Sequence, residues 1–129
     1  MIVDASAVVA LVLREPGWDR LADAIDRAES VGIGAPTATE TSIVLAAKGV
    51  PPTVLPALLS EVDIEILAYT RDHAHVAGTA YRRFGRGRHP AALSFGDCMS
   101  YATAALARAP LLFVGDDFAR TDLTPALPD

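Results

Sequence analysis

The chain opens with the stretch Met1-Ile-Val-Asp-Ala-Ser-Ala-Val-Val-Ala-Leu-Val-Leu13, which decides how the rest of the sequence is interpreted. Ile2 and Val3 form a short β-branched run that ends at Asp4, and the longest unbroken apolar run of the chain follows at Ala7–Leu13. A buried strand that presents a carboxylate at its C-terminal end is typical of an α/β sheet, in which ligands lie at the carboxyl ends of the strands. Asp4 is therefore either the polar cap of a helix or the first residue of a functional site.

Short apolar runs alternate with amphipathic segments along the rest of the sequence. We expect further strands at residues 31–35, 64–69 and 111–115, and helices that include Ala7–Leu13 with Ser6 as N-cap, Thr37–Lys48 and Ser94–Ala107. Strands that alternate with helices imply right-handed crossovers and a parallel sheet covered on both faces. The sequence therefore predicts a three-layer α/β/α domain with a central parallel sheet of four to five strands, the fifth being an edge strand within residues 116–129.

Length and composition limit the class of protein. A chain of 129 residues, of which 51% are apolar, has the size of a single domain (1–129) with a substantial core. It has no apolar run close to the roughly 18 residues that span a bilayer, and no basic segment precedes Ala7–Leu13, so we expect a soluble, cytoplasmic protein. The single cysteine, Cys98, excludes an internal disulfide, and the histidines lack the spacing of a zinc site.

The overall charge argues against general affinity for nucleic acids. The chain has 16 acidic and 11 basic residues and a formal net charge of −5, whereas nucleic-acid binding calls for a basic patch. Within this acidic chain, four arginines fall within seven positions: Arg82, Arg83, Arg86 and Arg88. Such a segment can hold a phosphate backbone, and we predict it as a nucleic-acid-binding surface. The alternative is a solvated helix end and loop.

Acidic residues follow the first and last predicted strands and lie near the starts of two helices. Asp4 and Asp116 occupy the strand ends, and Glu40 and Asp97 occupy the helices. If all four carboxylates converge, two charges about 4 Å apart cost roughly 4 kcal/mol at an effective dielectric near 20. Such a group must either take up protons or bind a divalent cation. Oxygen ligands without sulfur or imidazole select Mg²⁺ or Mn²⁺. A site of this kind attacks phosphodiesters with an activated water.

Glu40 and Asp97 also have a purely structural interpretation. Thr37-x-x-Glu40 and Ser94-x-x-Asp97 both match the capping box, in which a carboxylate bonds back to the amide at the helix start. A capping carboxylate is normally solvated, however, whereas helical periodicity places both residues on faces that we expect to pack on the sheet. Those faces continue through Ile43, Val44 and Ala47 after Glu40, and through Ser100, Tyr101 and Ala104 after Asp97.

In order and spacing, these segments resemble the PIN-domain ribonucleases, specifically the VapC-type toxins of toxin–antitoxin pairs. The matching pieces are Met1–Ala7, Glu40 after Thr37-Ala-Thr, Tyr81–Ala91, Ser94–Cys98 and Leu111–Phe118. Three positions depart from the family pattern or leave it ambiguous: Ala5 stands where many relatives have threonine, Ser94 replaces a frequent asparagine, and Asp116 adjoins Asp117.

The resemblance implies a Mg²⁺-dependent endoribonuclease, with Mn²⁺ as the alternative ion. Its catalytic and metal-binding residues would be Asp4, Glu40, Asp97 and Asp116. Ser6 and Asp117 would support them, and Asp117 is the alternative fourth acid. Toxins of this family are usually homodimers that act on RNA and are silenced by a VapB-type antitoxin, so we expect an RNA substrate, an antitoxin and a second copy as partners, and no membrane.

Two other functions remain open. One is a non-catalytic α/β regulatory or binding module, such as a receiver-like domain. A receiver would have an acidic pair after the first strand and a lysine at a late strand end, whereas this chain has Asp4 alone and its only lysine is Lys48. The other is a phosphohydrolase of the D-x-D class, which Asp4-Ala5-Ser6 does not satisfy.

Overall fold

The structure is a computed structural model that describes residues 1–128. Its strands are β1 (Ile2–Val3), β2 (Val31–Gly34), β3 (Ile64–Leu67) and β4 (Leu111–Leu112). Its helices are α1 (Ala5–Leu13), α2 (Trp18–Arg27), α3 (Ala35–Ala47), α4 (Val54–Glu61), α5 (Arg71–Phe84) and α6 (Phe95–Ala107), followed by a 3₁₀ turn (Phe118–Arg120). Among these residues no helix combines the length and the apolar character needed to cross a membrane.

The strands form one parallel sheet in the order β3-β2-β1-β4. Ile2 of β1 lies opposite Gly32 of β2 on one side and opposite Leu111 of β4 on the other. The strand order reverses at β1, because β2 and β3 are added on one side of it and β4 on the other. Crevices at such reversals are where open α/β sheets bind ligands. Asp4, which directly follows β1, therefore lies at the switch point of the sheet.

Alternate residues of the strands face two different helical layers. Val3 and Leu112 pack in one apolar cluster, to which α1, α2 and α4 contribute. Ile2 and Leu111 pack in the other, to which α5 and α6 contribute. The predicted three-layer α/β/α architecture is confirmed, with four strands. The predicted fifth strand does not form in the part of residues 116–129 that is described: Pro125, which has no N–H to extend a ladder, makes an isolated bridge to Leu111. Asp129 lies outside the described residues.

Helix α1 begins earlier than the sequence predicts. Its first residue is Ala5 and its N-cap is Asp4, so the assignment of Ser6 as N-cap is wrong. The physical reason is that an Asp4 carboxylate oxygen accepts the backbone N–H of Ser6 at 3.0 Å. Helix α6 begins as predicted after its N-cap, Ser94.

Helix α3 also begins earlier, at Ala35 rather than Thr37. Pro36 does not separate strand from helix but lies in the first helical turn, where its missing N–H has no intrahelical partner to lose. Thr37 is therefore inside the helix, and the capping-box interpretation of Glu40 is wrong.

The buried face of α3 is not the predicted one. Ile43 is 64% exposed, and the buried residues are Thr37, Thr41 and Leu45. The two threonines can be buried because their hydroxyls are hydrogen-bonded, that of Thr41 to the Thr37 carbonyl at 2.7 Å. The predicted face of α6, with Ser100, Tyr101 and Ala104, is confirmed.

Candidate functional site

Asp4 is the most deeply buried of the candidate acids, with 5% of its surface exposed. Its Oδ1 accepts a hydrogen bond from Ser100 Oγ at 2.5 Å. Its Oδ2 accepts two from Ser6, from Oγ at 2.7 Å and from the backbone N–H at 3.0 Å. Ser6 Oγ in turn accepts the N–H of Val114 at 3.0 Å, which connects the carboxylate to the chain that follows β4. The orientation of Asp4 is therefore fixed from two sides.

Glu40 and Asp97 are half-buried beside Asp4. The Glu40 carboxylate packs on the start of α6, so closely that a Cβ added to Gly96 would lie 2.8 Å from Glu40 Cδ. Asp97 Oδ2 accepts the N–H of Ser94 at 2.9 Å, and the Asp97 N–H donates to Ser94 Oγ at 3.2 Å. The capping-box interpretation of Asp97 is thus confirmed, and the same carboxylate is near enough to Asp4 and Glu40 for their charges to act on one another.

The electrostatics show that these acids act on one another. Burial raises the pKa of Glu40, and the negative charges of Asp4 and Asp97 raise it further. Burial also raises the pKa of Asp97; hydrogen bonds from Ser94 oppose this rise, while the charges of Asp4 and Asp117 add to it. Asp4, Glu40 and Asp97, which we call the acid cluster, therefore lie at one end of the sheet although they come from distant parts of the sequence.

No basic side chain neutralises the acid cluster within residues 1–128. The ion pairs of this part of the chain, Arg27–Asp23 and Arg83–Asp122, both lie elsewhere. Nor do three or more Asp, Glu, His or Cys side chains of these residues already stand in the geometry of a metal site. The donors that the cluster offers are carboxylate and hydroxyl oxygens, which suit Mg²⁺ or Mn²⁺. The residues fit a hard divalent cation by their chemistry and their uncompensated charge.

The adjacent acids after β4 differ in their surroundings. Both are exposed, but the charge of Asp117 acts on Asp97. Asp116 lines a separate cleft together with Arg20 and Pro125. The choice of Asp116 as the fourth acid stays a prediction, and the electrostatics favour Asp117.

The predicted arginine segment divides into two parts. Arg83 Nη1 lies 3.5 Å from Asp122 Oδ2, and its guanidinium group lies 4.6 Å from the centre of the Phe84 ring. Arg82, Arg86 and Arg88 are exposed, as Arg83 is, but form no ion pair within residues 1–128. Arg86 and Arg88 belong to a loop that leads directly into the N-cap of α6, the helix that carries Asp97.

The sequence interpretation missed two hydroxyls next to the acid cluster. It places Ser100 only on the packing face of its helix, and Thr37 only at a helix start. In the structure both are 1% exposed, and Thr37 Oγ1 lies 3.2 Å from Ser100 Oγ. Hydroxyl residues at buried helical positions were the available signal, because a buried hydroxyl needs a partner.

Comparison with known proteins agrees with this fold. Two solved structures, each with 18% sequence identity to this chain, share the fold. The first is VapC20 of Mycobacterium tuberculosis, a sarcin–ricin loop cleaving toxin, with a TM-score of 0.79 and 98% of both chains covered. The second is a toxin–antitoxin complex from Klebsiella pneumoniae, with a TM-score of 0.74 and coverage of 94% of this chain and 92% of the other. The family model of the PIN domain matches residues 1–123.

Curated relatives narrow the family further. The chain is 49% identical over 126 residues to Ribonuclease VapC36 of Mycobacterium tuberculosis, covering 95% of this chain and 91% of that protein. It is 42% identical over 129 residues to Ribonuclease VapC42 of the same organism, covering 98% of each. The chain therefore belongs to the PIN-domain family and, within it, to the VapC-type ribonucleases.

Proposed function

We propose that the chain is a divalent-metal-dependent endoribonuclease and the toxin of a type II toxin–antitoxin pair. The observation that carries this proposal is the acid cluster at the switch point of the sheet, with no basic side chain of residues 1–128 to neutralise it. The names of the VapC ribonuclease relatives support RNA as the substrate. We further propose that the protein acts in the cytoplasm.

Asp4 and Asp97 would bind Mg²⁺, or Mn²⁺, directly, and Glu40 with Asp116 or Asp117 would complete the set of ligands or hold water. When bound, the cation lowers the pKa of a coordinated water and neutralises charge that develops on the scissile phosphate. Glu40 orients or deprotonates the attacking water, because its carboxylate makes no hydrogen bond within residues 1–128. Ser6 holds the Asp4 carboxylate in place.

The test is RNA cleavage by the Asp97→Asn and Asp4→Asn variants. Each should lose about 100-fold or more of the Mg²⁺-dependent rate, since removal of one charge-stabilising group typically costs that much. EDTA should abolish cleavage by the wild type, and added Mg²⁺ or Mn²⁺ should restore it. Asp23→Asn is the matched control, because Asp23 is a surface acid paired with Arg27. Full Mg²⁺-dependent cleavage by folded Asp97→Asn would contradict the proposal and favour a non-catalytic module.

Arg82, Arg86 and Arg88 are the proposed contacts to the RNA backbone. For single-stranded nucleic acid, each neutralised phosphate contributes about 0.7 to the slope of log K against log salt, so three contacts contribute about 2. The triple Arg→Gln variant should lose this part of the slope. Arg83→Gln is the control, because Arg83 is already paired with Asp122. An unchanged salt slope in the triple variant would favour the alternative, in which these arginines belong to a solvated helix end and loop.

A VapB-type antitoxin is the proposed regulatory partner, supported by the toxin–antitoxin complex that shares this fold. A cleft of about 1240 Å³ fits a basic amphipathic segment of such a partner, since Trp18 and Leu58 line it beside the acids Asp19, Asp26 and Glu61. Neutralising these three acids should weaken antitoxin binding, most at low salt, and should leave RNA cleavage unchanged. If antitoxin binding responds neither to the neutralisation of these acids nor to the salt concentration, this cleft is not the binding site.

A homodimer is the proposed assembly. The exposed Ile43 on α3 and Ile66 on β3 support it, because they are 64% and 55% exposed and apolar. Sedimentation at micromolar concentration should show a dimer that Ile43→Ser weakens; a concentration-independent monomer would contradict it.

A further inference from the structure

Two buried hydroxyl groups are connected to Asp4 by a chain of hydrogen bonds. Ser100 of α6 donates its Oγ–H to Asp4 Oδ1 at 2.5 Å, and Thr37 Oγ1 of α3 lies 3.2 Å from Ser100 Oγ. Both side chains are 1% exposed, so water does not compete for these hydrogen bonds. Two successive hydrogen bonds thus connect α3 to α6, and α6 to a single carboxylate oxygen of Asp4.

The direction of this chain of hydrogen bonds follows from counting protons. A hydroxyl carries one proton, and an ionised carboxylate can only accept. Because Ser100 gives its proton to Asp4, its oxygen is left to accept the proton of Thr37. The chain therefore runs from Thr37 through Ser100 to Asp4, and each bond polarises the next toward the carboxylate.

The same count identifies which oxygen of Asp4 is free for a ligand. A carboxylate has about four lone-pair sites, two on each oxygen. Oδ2 already accepts two hydrogen bonds, both from Ser6, whereas Oδ1 accepts one, from Ser100. The remaining site is on Oδ1, the oxygen that Ser100 and Thr37 hold.

We propose that Thr37 and Ser100 are positioning residues that aim the Oδ1 atom of Asp4 at the divalent cation. This inference rests on the proposed function, because it assumes that the acid cluster binds a metal ion. Groups that orient a metal ligand typically contribute about 10- to 100-fold to metal affinity or activity.

The experiment measures Mn²⁺ binding to the purified full chain by calorimetry and by electron paramagnetic resonance, without RNA. Thr37→Val removes the first hydroxyl at nearly constant volume, and Ser100→Ala removes the second. Each should weaken Mn²⁺ binding about 10- to 100-fold. Thr37→Ser, which keeps the hydroxyl, should bind close to the wild type.

Thr41→Val is the matched control. Thr41 is a buried threonine of the same helix, and its hydroxyl donates to the Thr37 carbonyl rather than into the chain to Asp4. A merely structural role predicts that Thr37→Val and Thr41→Val lower the unfolding temperature and the Mn²⁺ affinity alike. A positioning role predicts similar unfolding temperatures but a loss of affinity in Thr37→Val alone, with a matching rise in the Mg²⁺ concentration for half-maximal cleavage.

The outcomes separate the inference from the function on which it rests. A wild type that binds no Mn²⁺ and cleaves no RNA in Mg²⁺ would overturn the proposed function, and the positioning role with it. A wild type that binds Mn²⁺, beside Thr37→Val and Ser100→Ala variants that bind it as tightly as Thr41→Val does, would overturn the positioning role alone.

Discussion

Replacing Gly96 by alanine should lower catalysis without lowering stability. A Cβ at this position would lie 2.8 Å from Glu40 Cδ and closer still to Glu40 Oε2. Ordinary contacts begin at 3.4 Å, so the carboxylate must move by more than about 0.6 Å (3.4 − 2.8). Catalytic groups must be held within about 0.5 Å of the productive geometry, and a 1 Å displacement costs on the order of 100-fold. We therefore expect kcat/KM for RNA cleavage to fall about 10- to 100-fold.

The stability of Gly96→Ala should move the other way. Gly96 lies in α6, and a Gly→Ala change in a compatible backbone contributes about 0.4–1 kcal/mol by restricting the unfolded chain. The displaced atoms belong to the end of a half-buried, flexible side chain, so their displacement costs little folding free energy. Urea denaturation of the metal-free protein should show an unchanged or higher free energy of unfolding.

The matched control is Gly78→Ala in α5. A Cβ there would lie 3.7 Å from Arg82 Nη1, which is an ordinary contact. This variant therefore gains the same stability from restriction of the unfolded chain, without moving a carboxylate. Single-turnover cleavage of one RNA under saturating Mg²⁺ compares the two variants. Equal rates would refute the argument that Gly96 keeps the space that Glu40 occupies.

Two further predictions concern pH and the C-terminal segment. Glu40→Gln removes a carboxylate whose pKa is raised above 4.5 by burial and then by the charges of Asp4 and Asp97. The wild type therefore loses stability as the pH rises through that raised pKa. The metal-free Glu40→Gln variant should be more stable than the metal-free wild type at pH 7 and should have no advantage near about pH 4. The same advantage at both pH values in thermal unfolding would contradict this. Tyr101→Phe removes a 2.6 Å hydrogen bond to Asp122, a carboxylate whose side chain is 52% exposed, and should cost about 1 kcal/mol, or about 4 °C in Tm. Because the pKa of Tyr101 is raised to about 12, this cost should persist to about pH 10, and a Tm equal to that of the wild type would contradict it.

The fold could be predicted because its determinants are local. Short apolar runs bounded by polar residues mark the strands, and a strand that ends in a carboxylate identifies the edge of the sheet where the acids gather. Asp97 could be predicted both as a cap and as a member of the cluster, because Ser94 and the apolar face of α6 lie within one helix. Helix starts were less predictable, since Asp4 and Ser6 are both good N-caps and only the packed backbone selects one.

Long-range pairs could not be predicted from spacing. Thr37 and Ser100 meet across 63 positions of sequence, and neither has a neighbour along the chain that suggests the other. The buried face of α3 was misassigned for a related reason: an apolar count favours Ile43 over a threonine, although a threonine with a hydrogen-bonded hydroxyl packs inside equally well. Arg83 was grouped with the other arginines because its partner, Asp122, lies 39 positions away.

The double role of Asp4 affects how this chain can evolve. Its carboxylate both caps α1 and satisfies the buried hydroxyl of Ser100, so its loss would disturb folding as well as chemistry. Glu40 has no such second duty. A gene copy released from selection for RNA cleavage, yet still selected to fold and to occupy an antitoxin, would keep Asp4 and drift at Glu40. An aspartate at the end of the first strand is thus poor evidence that a diverged relative is still an active toxin. A glutamate at the position of Glu40, which packs against Gly96, is better evidence of activity.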